Sequence, residues 1–197
     1  MPGNTRPVAD ERDGLLSYLA QQRYVLRLAA HGLTDEQAAA TPTVSKLCVG
    51  GLIKHAAAVE RSWMDIVLER SAENPDGRAE NYDSGFRLGP DETLASVLRS
   101  YQSAARDTDA TIAAIPDLGQ PVPVPSGVPW FPKDVTAWSV RWVLLHLITE
   151  TARHAGHADI IRESLDGASA FPLMAAVEGW PANPWLKSWE APSQPAR

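Results

Sequence analysis

The residues best suited to chemistry are His55 and the run His146, Glu150, His154 and His157. Glu150 and His154 are four apart. On a helix such residues stand one above the other, about 6 Å apart, near enough to share one ion. Turning about 100° per residue from His154 puts Val143, Leu147, Ile161 and Leu165 within about 20° of it. Val140, Ala158 and Glu150 fall within about 40°, while Arg141, Asp159 and Glu163 point the other way. His154 is thus expected at the centre of a buried stripe with Glu150 on its flank. A carboxylate and an imidazole facing a core are costly without partners, and burial drives both towards their neutral forms. A divalent metal reverses this, because it needs the carboxylate ionised and the imidazole neutral.

The plainer reading of the same pair is a hydrogen bond between Glu150 and His154. His146 and His157 lie about 80° and 60° from His154. They are alternatives to Glu150 as ligands, donors to the ligands, or ordinary half-buried histidines. A third ligand must come from another helix. His55 is the only histidine on the second helical segment, at the edge of the stripe Leu52, Val59, Trp63 and Ile66.

Four helical segments must position these side chains. Met1 to Ala9 reads as a loose arm. Asp10 caps a helix running to about His31, with Leu15, Leu16, Leu19, Leu26 and Leu28 as its apolar positions and Gly32 as its left-handed stop. His31 then sits in the last turn, where the helix dipole favours a cation. Thr34 to Thr43 is a connector with one helical turn. The second helix runs from near Cys48 to about Arg70, and Ser71 to Gly89 is a polar, turn-rich connector. Pro90, Asp91 and Glu92 read as the start of a third helix reaching about Ile115. Pro116 to Pro132 carries six prolines and cannot be helical. Ser139 caps a fourth helix to about Leu165, ended by Asp166 and Gly167. No alternating strand pattern persists. The expectation is an all-α four-helix bundle over 10–167, with a Pro/Trp-rich tail over 168–197 packed irregularly on it.

Composition excludes several classes. The chain has 197 residues, 44% of them hydrophobic, and a formal net charge of −6. An acidic surface does not suit nucleic-acid phosphates or anionic membranes. No segment reaches the roughly 18 apolar residues of a membrane span, and no basic-then-apolar leader opens the sequence. Cys48 is the only cysteine, so no internal disulfide forms, which fits the cytoplasm. Cys48 stands about 10 Å along the helix axis from His55 and reads as a cap or small core residue. Trp130, Trp138 and the C-terminal Trp180, Trp185 and Trp189 are candidates for the core or for a pocket mouth. An excess of arginine over lysine, with abundant alanine, points to a GC-rich bacterial genome.

The run Gly50-Gly51-Leu52-Ile53-Lys54-His55-Ala56-Ala57-Ala58-Val59-Glu60-Arg61-Ser62-Trp63 resembles the second helix of DinB-like proteins. The run Arg141-Trp142-Val143-Leu144-Leu145-His146-Leu147-Ile148, continued through Glu150 and Arg153-His154-Ala155-Gly156-His157-Ala158-Asp159, resembles their metal-binding last helix. The likeness spans about Asp10 to Gly167. It implies an up-down-down-up bundle holding one divalent metal, zinc first and nickel or iron as alternatives, on His55, Glu150 and His154. Many members have histidine where Glu150 stands. The glutamate form is similar to mycothiol-dependent maleylpyruvate isomerases, and His157 takes the place of a glutamine found elsewhere in the family.

Those isomerases carry an additional C-terminal domain, whereas about thirty residues follow Gly167, too few for one. The implied activity is therefore the broader one: a metal-dependent transferase activating a low-molecular-weight thiol, mycothiol among the candidates, against an electrophilic small molecule. Two histidines and a carboxylate also suit non-haem iron and oxygen chemistry. A non-catalytic metal- or small-molecule-binding bundle is the third reading, and a coordination position left open would separate catalysis from structure. A homodimer is left open.

Overall fold

The computed structural model describes residues 3–70, 82–125, 128 and 131–191. Most of the polar connector at 71–81, and Trp130, lie outside the described residues. The fold is mainly helical: α1 (Glu11–Leu28), α2 (Asp35–Ala39), α3 (Val49–Val67), α4 (Tyr82–Gly85), α5 (Leu94–Ala114), α6 (Val140–Asp166) and α7 (Ala170–Glu178). Two short strands, β1 (Pro121–Pro123) and β2 (Ala137–Ser139), pair antiparallel just before α6. No helix among the described residues is long and apolar enough to cross a membrane.

The long helices are set by local chemistry. Asp10 accepts from the Asp13 N–H at the start of α1. Cys48 does the same for Gly51 in α3, and Ser139 for Trp142 in α6. Each cap satisfies a backbone donor that the first turn leaves unpaired. Gly32 and Gly167 take the left-handed conformation expected of them, at φ +71° and +75°.

The expected start of the third helix at Pro90 is corrected. Thr93 is the N-cap of α5, in a reciprocal capping box with Ser96. Glu92 turns away to accept from the Gly89 N–H and from Lys54. The second helix also stops earlier, at Val67 rather than Arg70.

α1 packs on α6, while α3 packs on both α5 and α6. Two apolar clusters fill the interior. One gathers Leu26, Val49, Leu52, Ile53, Tyr101, Ala158 and Ile161. The other gathers Leu19, Trp63, Met64, Ile112, Val140, Val143, Leu144 and Leu147. Between them in every long helix lies a polar position: Arg23, Glu60, Thr108 and Thr151, all buried. Arg23 donates to both oxygens of Glu60 at 2.9 and 2.7 Å and to Asp109 at 2.8 Å.

The proline-rich segment yields a strand that sequence reading did not anticipate. Val122 faces Trp138 across the ribbon. The flanking bonds run from Val124 N–H to the Thr136 carbonyl (3.1 Å) and from Val140 N–H to the Gln120 carbonyl (3.2 Å). Pro121, Pro123 and Pro125 occupy the alternate positions, where an antiparallel ladder asks for no N–H. Val122 is fully buried in the second cluster, and Ser139 passes directly from ribbon to helix cap.

The tail is not wholly irregular either. Ser169 precedes α7, Pro172 falls in its first turn where no helical N–H is lost, and Gly179 ends it at φ +67°. Leu173 and Met174 of α7 pack against Tyr24 and Leu28.

Candidate metal centre

α3 and α6 bring three side chains to one point. Nε2 of His154 lies 3.1 Å from Glu150 Oε1, and Nε2 of His55 lies 3.3 Å from the same oxygen. One ligand-capable atom from each residue falls within 4.8 Å of the others. The side chain of His154 is 9% exposed, that of His55 14% and that of Glu150 29%, so the cluster opens to solvent on the carboxylate side.

The expected stripe on α6 is present. Val140, Val143, Leu147, Ala158 and Ile161 are buried with His154. Asp159 departs from it, being half-buried rather than on the solvated face.

Bonds of about 2.0–2.2 Å to a tetrahedral ion separate its ligand atoms by about 3.3–3.5 Å. The two separations from Glu150 Oε1 are close to that edge length. Nδ1 of His154 is buried and has no hydrogen-bond partner among the described residues. The set therefore fits a divalent metal in donor type, with the two separations to Glu150 near that edge and all three ligand-capable atoms within 4.8 Å of one another. The Glu150 carboxyl is held well below the ordinary carboxylate range, first by the hydrogen bond from His154 and then by that from His55, with burial opposing. A carboxylate kept ionised in this way is ready to bind a cation.

Local sequence explains how His55 is held. The Phe86 ring stacks on His55 at 4.0 Å between centroids and 22° between planes. It can do so because Gly51, one turn before His55, lets the backbone of residue 86 lie directly on α3. A Cβ at Gly51 would sit 1.8 Å from the Phe86 carbonyl oxygen. Gly50 likewise admits the Leu88 side chain. Cys48 is buried, caps α3 through Sγ, and lies 3.7 Å from the Phe86 carbonyl. The Cys48–Gly50–Gly51–His55 pattern thus clamps one segment over the His55 ring.

The other histidines stay apart from the cluster. His146 is half-buried, stacked on Trp142 at 5.2 Å and 3° and edge-on to Trp63. Burial pushes its pKa down, opposed by Glu150. His157 is exposed, its ring 5.6 Å from that of His154. Its pKa is pushed down by burial first, then by His154 and Arg153. Neither shares the metal-capable grouping.

A cavity of about 400 Å³ opens beside the triad, with Leu47, Phe86, Glu150, His154 and His157 in its wall. Of the tryptophans considered for the core or a pocket mouth, Trp138, Trp180, Trp185 and Trp189 are absent from its described lining. Trp138 stacks on Trp142 at 4.2 Å. Trp180 donates to Glu178, Trp189 lies against Arg162, and Trp185 is 96% exposed. Phe86 was missed in the sequence because it falls in a connector, where no periodicity marks a contact.

The sequence matches the family model described as mycothiol-S-transferase over residues 14–167. The chain belongs to this mycothiol-S-transferase family. All three residues of the triad fall inside the matched range. A crystal structure of a conserved protein from Enterococcus faecalis has the same fold, with a TM-score of 0.62 and 12% identity. The match covers 82% of this chain and 100% of that one. No curated protein matches the chain.

Proposed function

We propose that this mycothiol-S-transferase family member is a metal-dependent enzyme that activates a low-molecular-weight thiol for transfer to an electrophilic small molecule, with mycothiol as the first candidate. The observation that carries the reading is the convergence of His55 and His154 on one oxygen of Glu150. These three residues would hold the ion, zinc by donor type, with nickel or iron as alternatives. A bound divalent metal with an open position would lower the pKa of a thiol there.

The chain's own residues do the rest. Phe86 and the buried face of α6 keep water from one side of the cluster. The 400 Å³ cavity gives the second substrate a place beside it. The sulfur lone pair forms the new C–S bond, the thiol proton passes to water, and the leaving group departs with its electron pair. No protein nucleophile is needed. Cys48 is buried and already engaged as a cap.

The supporting frame, in this proposal, is a four-helix bundle of up-down-down-up order over 10–167, preceded by an arm at 1–9 and followed by a tail at 168–197. The setting proposed is the bacterial cytoplasm.

The test combines metal analysis of protein purified without chelators or a metal-affinity column with a thiol-conjugation screen using mycothiol, cysteine and glutathione. A bound divalent ion, and turnover lost on its removal and regained on its return, are the expected results. Absence of metal after reconstitution with zinc, nickel and iron would sink the reading. So would turnover that ignores metal removal.

A further inference from the structure

The cavity beside the triad has a second feature that the metal reading does not use. Lys46, Arg87 and Arg153 line it. They arrive from three separate segments: the loop before α3, the stretch after α4, and α6 itself. The whole chain carries a net charge of −6, yet among the described residues the one carboxylate in this wall is Glu150, already engaged by two histidines. Among the described residues, none of the three cationic side chains makes a hydrogen bond or an ion pair. Arg6, Arg23, Lys54, Arg141 and Arg162 are each paired with an acid. Unpaired like charges at one cavity repel one another, a cost that an anionic guest removes.

The remaining wall indicates the guest's body. Leu47 and the buried Phe86 supply an apolar surface, and about 400 Å³ suits a small molecule. Two guanidiniums in the set can each meet an oxyanion with paired donors, which a lone lysine cannot.

We propose that this cavity is an oxyanion subsite in which Lys46, Arg87 and Arg153 hold the carboxylate or phosphate end of the electrophilic co-substrate, with its apolar body on Phe86 and Leu47 and its reactive carbon towards the triad. The proposal rests on the thiol-transfer reading for what the guest does there. It narrows the electrophile to an anionic one. Neutral alkylating agents are then poor substrates, and charge at the far end of the molecule selects the good ones.

The test uses the full chain and three unreactive probes of one shape: N-ethylsuccinimide, N-(carboxymethyl)succinimide and N-(2-phosphonoethyl)succinimide. Calorimetric titration at low salt should show at least one anionic probe binding tenfold or more tighter than the neutral one. The tighter of the two anions identifies the oxyanion. Lys46→Gln, Arg87→Gln and Arg153→Gln should each weaken that probe about threefold to fivefold, the scale of exposed ion pairs. They should leave the neutral probe unchanged, and Arg153→Lys, which keeps the charge but not the paired donors, should weaken the anion less than Arg153→Gln does. Salt should weaken anion binding in the parent, since exposed charges are screened over about 10 Å at 0.1 M.

Equal affinity for all three probes would overturn the subsite, as would neutralising substitutions without effect. An anion preference that vanishes in His55→Ala but survives in the three Gln variants would also overturn it, by assigning the anion to the metal. The probes cannot react, so binding is read independently of thiol transfer. A chain that binds the anion through its cations but never conjugates a thiol keeps the subsite and loses the transferase reading.

Discussion

Replacing Glu150 by glutamine is the sharpest perturbation of the candidate metal centre. Oε1 of Glu150 is the atom both histidines share, at 3.1 and 3.3 Å. Glutamine keeps an acceptor oxygen there and removes the charge. The carboxyl is held below its ordinary range, so the stability it lends is present above that range and is lost as pH falls through the lowered value. At pH 7 the comparison is therefore between an ionised carboxylate and an amide.

The side chain is 29% exposed, so the metal-free proteins should differ by less than about 1 kcal/mol. With zinc the difference grows. At a free zinc concentration one hundred times its Kd, the parent gains about 2.7 kcal/mol of stability. In a chain of this size that raises the melting temperature by about 5–10 °C. Changing a residue that only supports a ligand costs about 10- to 100-fold in affinity, so losing a charged ligand costs at least the upper figure. The same zinc then gives the variant about 0.4 kcal/mol, a rise of about 1 °C. Thermal unfolding with and without zinc reads this directly. An equal zinc-induced rise in parent and Glu150→Gln would refute the assignment of Glu150 as a ligand, and the same result for His146→Ala and His157→Ala would be expected.

Three further perturbations check the supporting structure. Gly51→Ala places a methyl 1.8 Å from the Phe86 carbonyl oxygen; urea unfolding should show a loss of about 1–3 kcal/mol, and a loss below about 0.5 kcal/mol would mean the Phe86 segment is not held there. Cys48→Ser retains a capping acceptor, so metal content and any thiol-transfer rate should stay near the parent's; loss of turnover with metal retained would make Cys48 a participant. Asp159 is raised to about 6 by burial first and Glu163 second, against about 3.9 unfolded. Its protonated form is the one folding favours, so stability is full below the unfolded value and falls as pH rises through about 6. Asp159→Asn should therefore stabilise the fold at pH 7 by about 1 kcal/mol after allowance for its partial exposure and leave it unchanged near pH 4. An equal effect at both pH values would rule out titration as the cause.

Much of the site was legible because helices repeat. Glu150 and His154 are bound to one face of α6 by their spacing, and the apolar residues around His154 declare that face buried before any fold is known. Ser139 and Gly167 mark the ends of α6 through their own backbone chemistry. His55 was reachable by elimination, because α3 has no other histidine.

What the tertiary structure alone decided are relations between segments far apart in sequence. That His55 meets Glu150 and His154 rather than His146 or His157 depends on where α3 crosses α6, and no periodicity within α6 contains that distance. Gly51 looks like an indifferent helix residue until the Phe86 backbone lies on it. The prolines at 121, 123 and 125 read as a break, although their period of two matches the unbonded positions of a ribbon, and only pairing with 137–139 makes that period a strand. Lys46, Arg87 and Arg153 are ordinary surface cations in the sequence. They become one wall because helix packing closes a cavity between them, and a cavity is a property of packed surfaces rather than of any local run of residues.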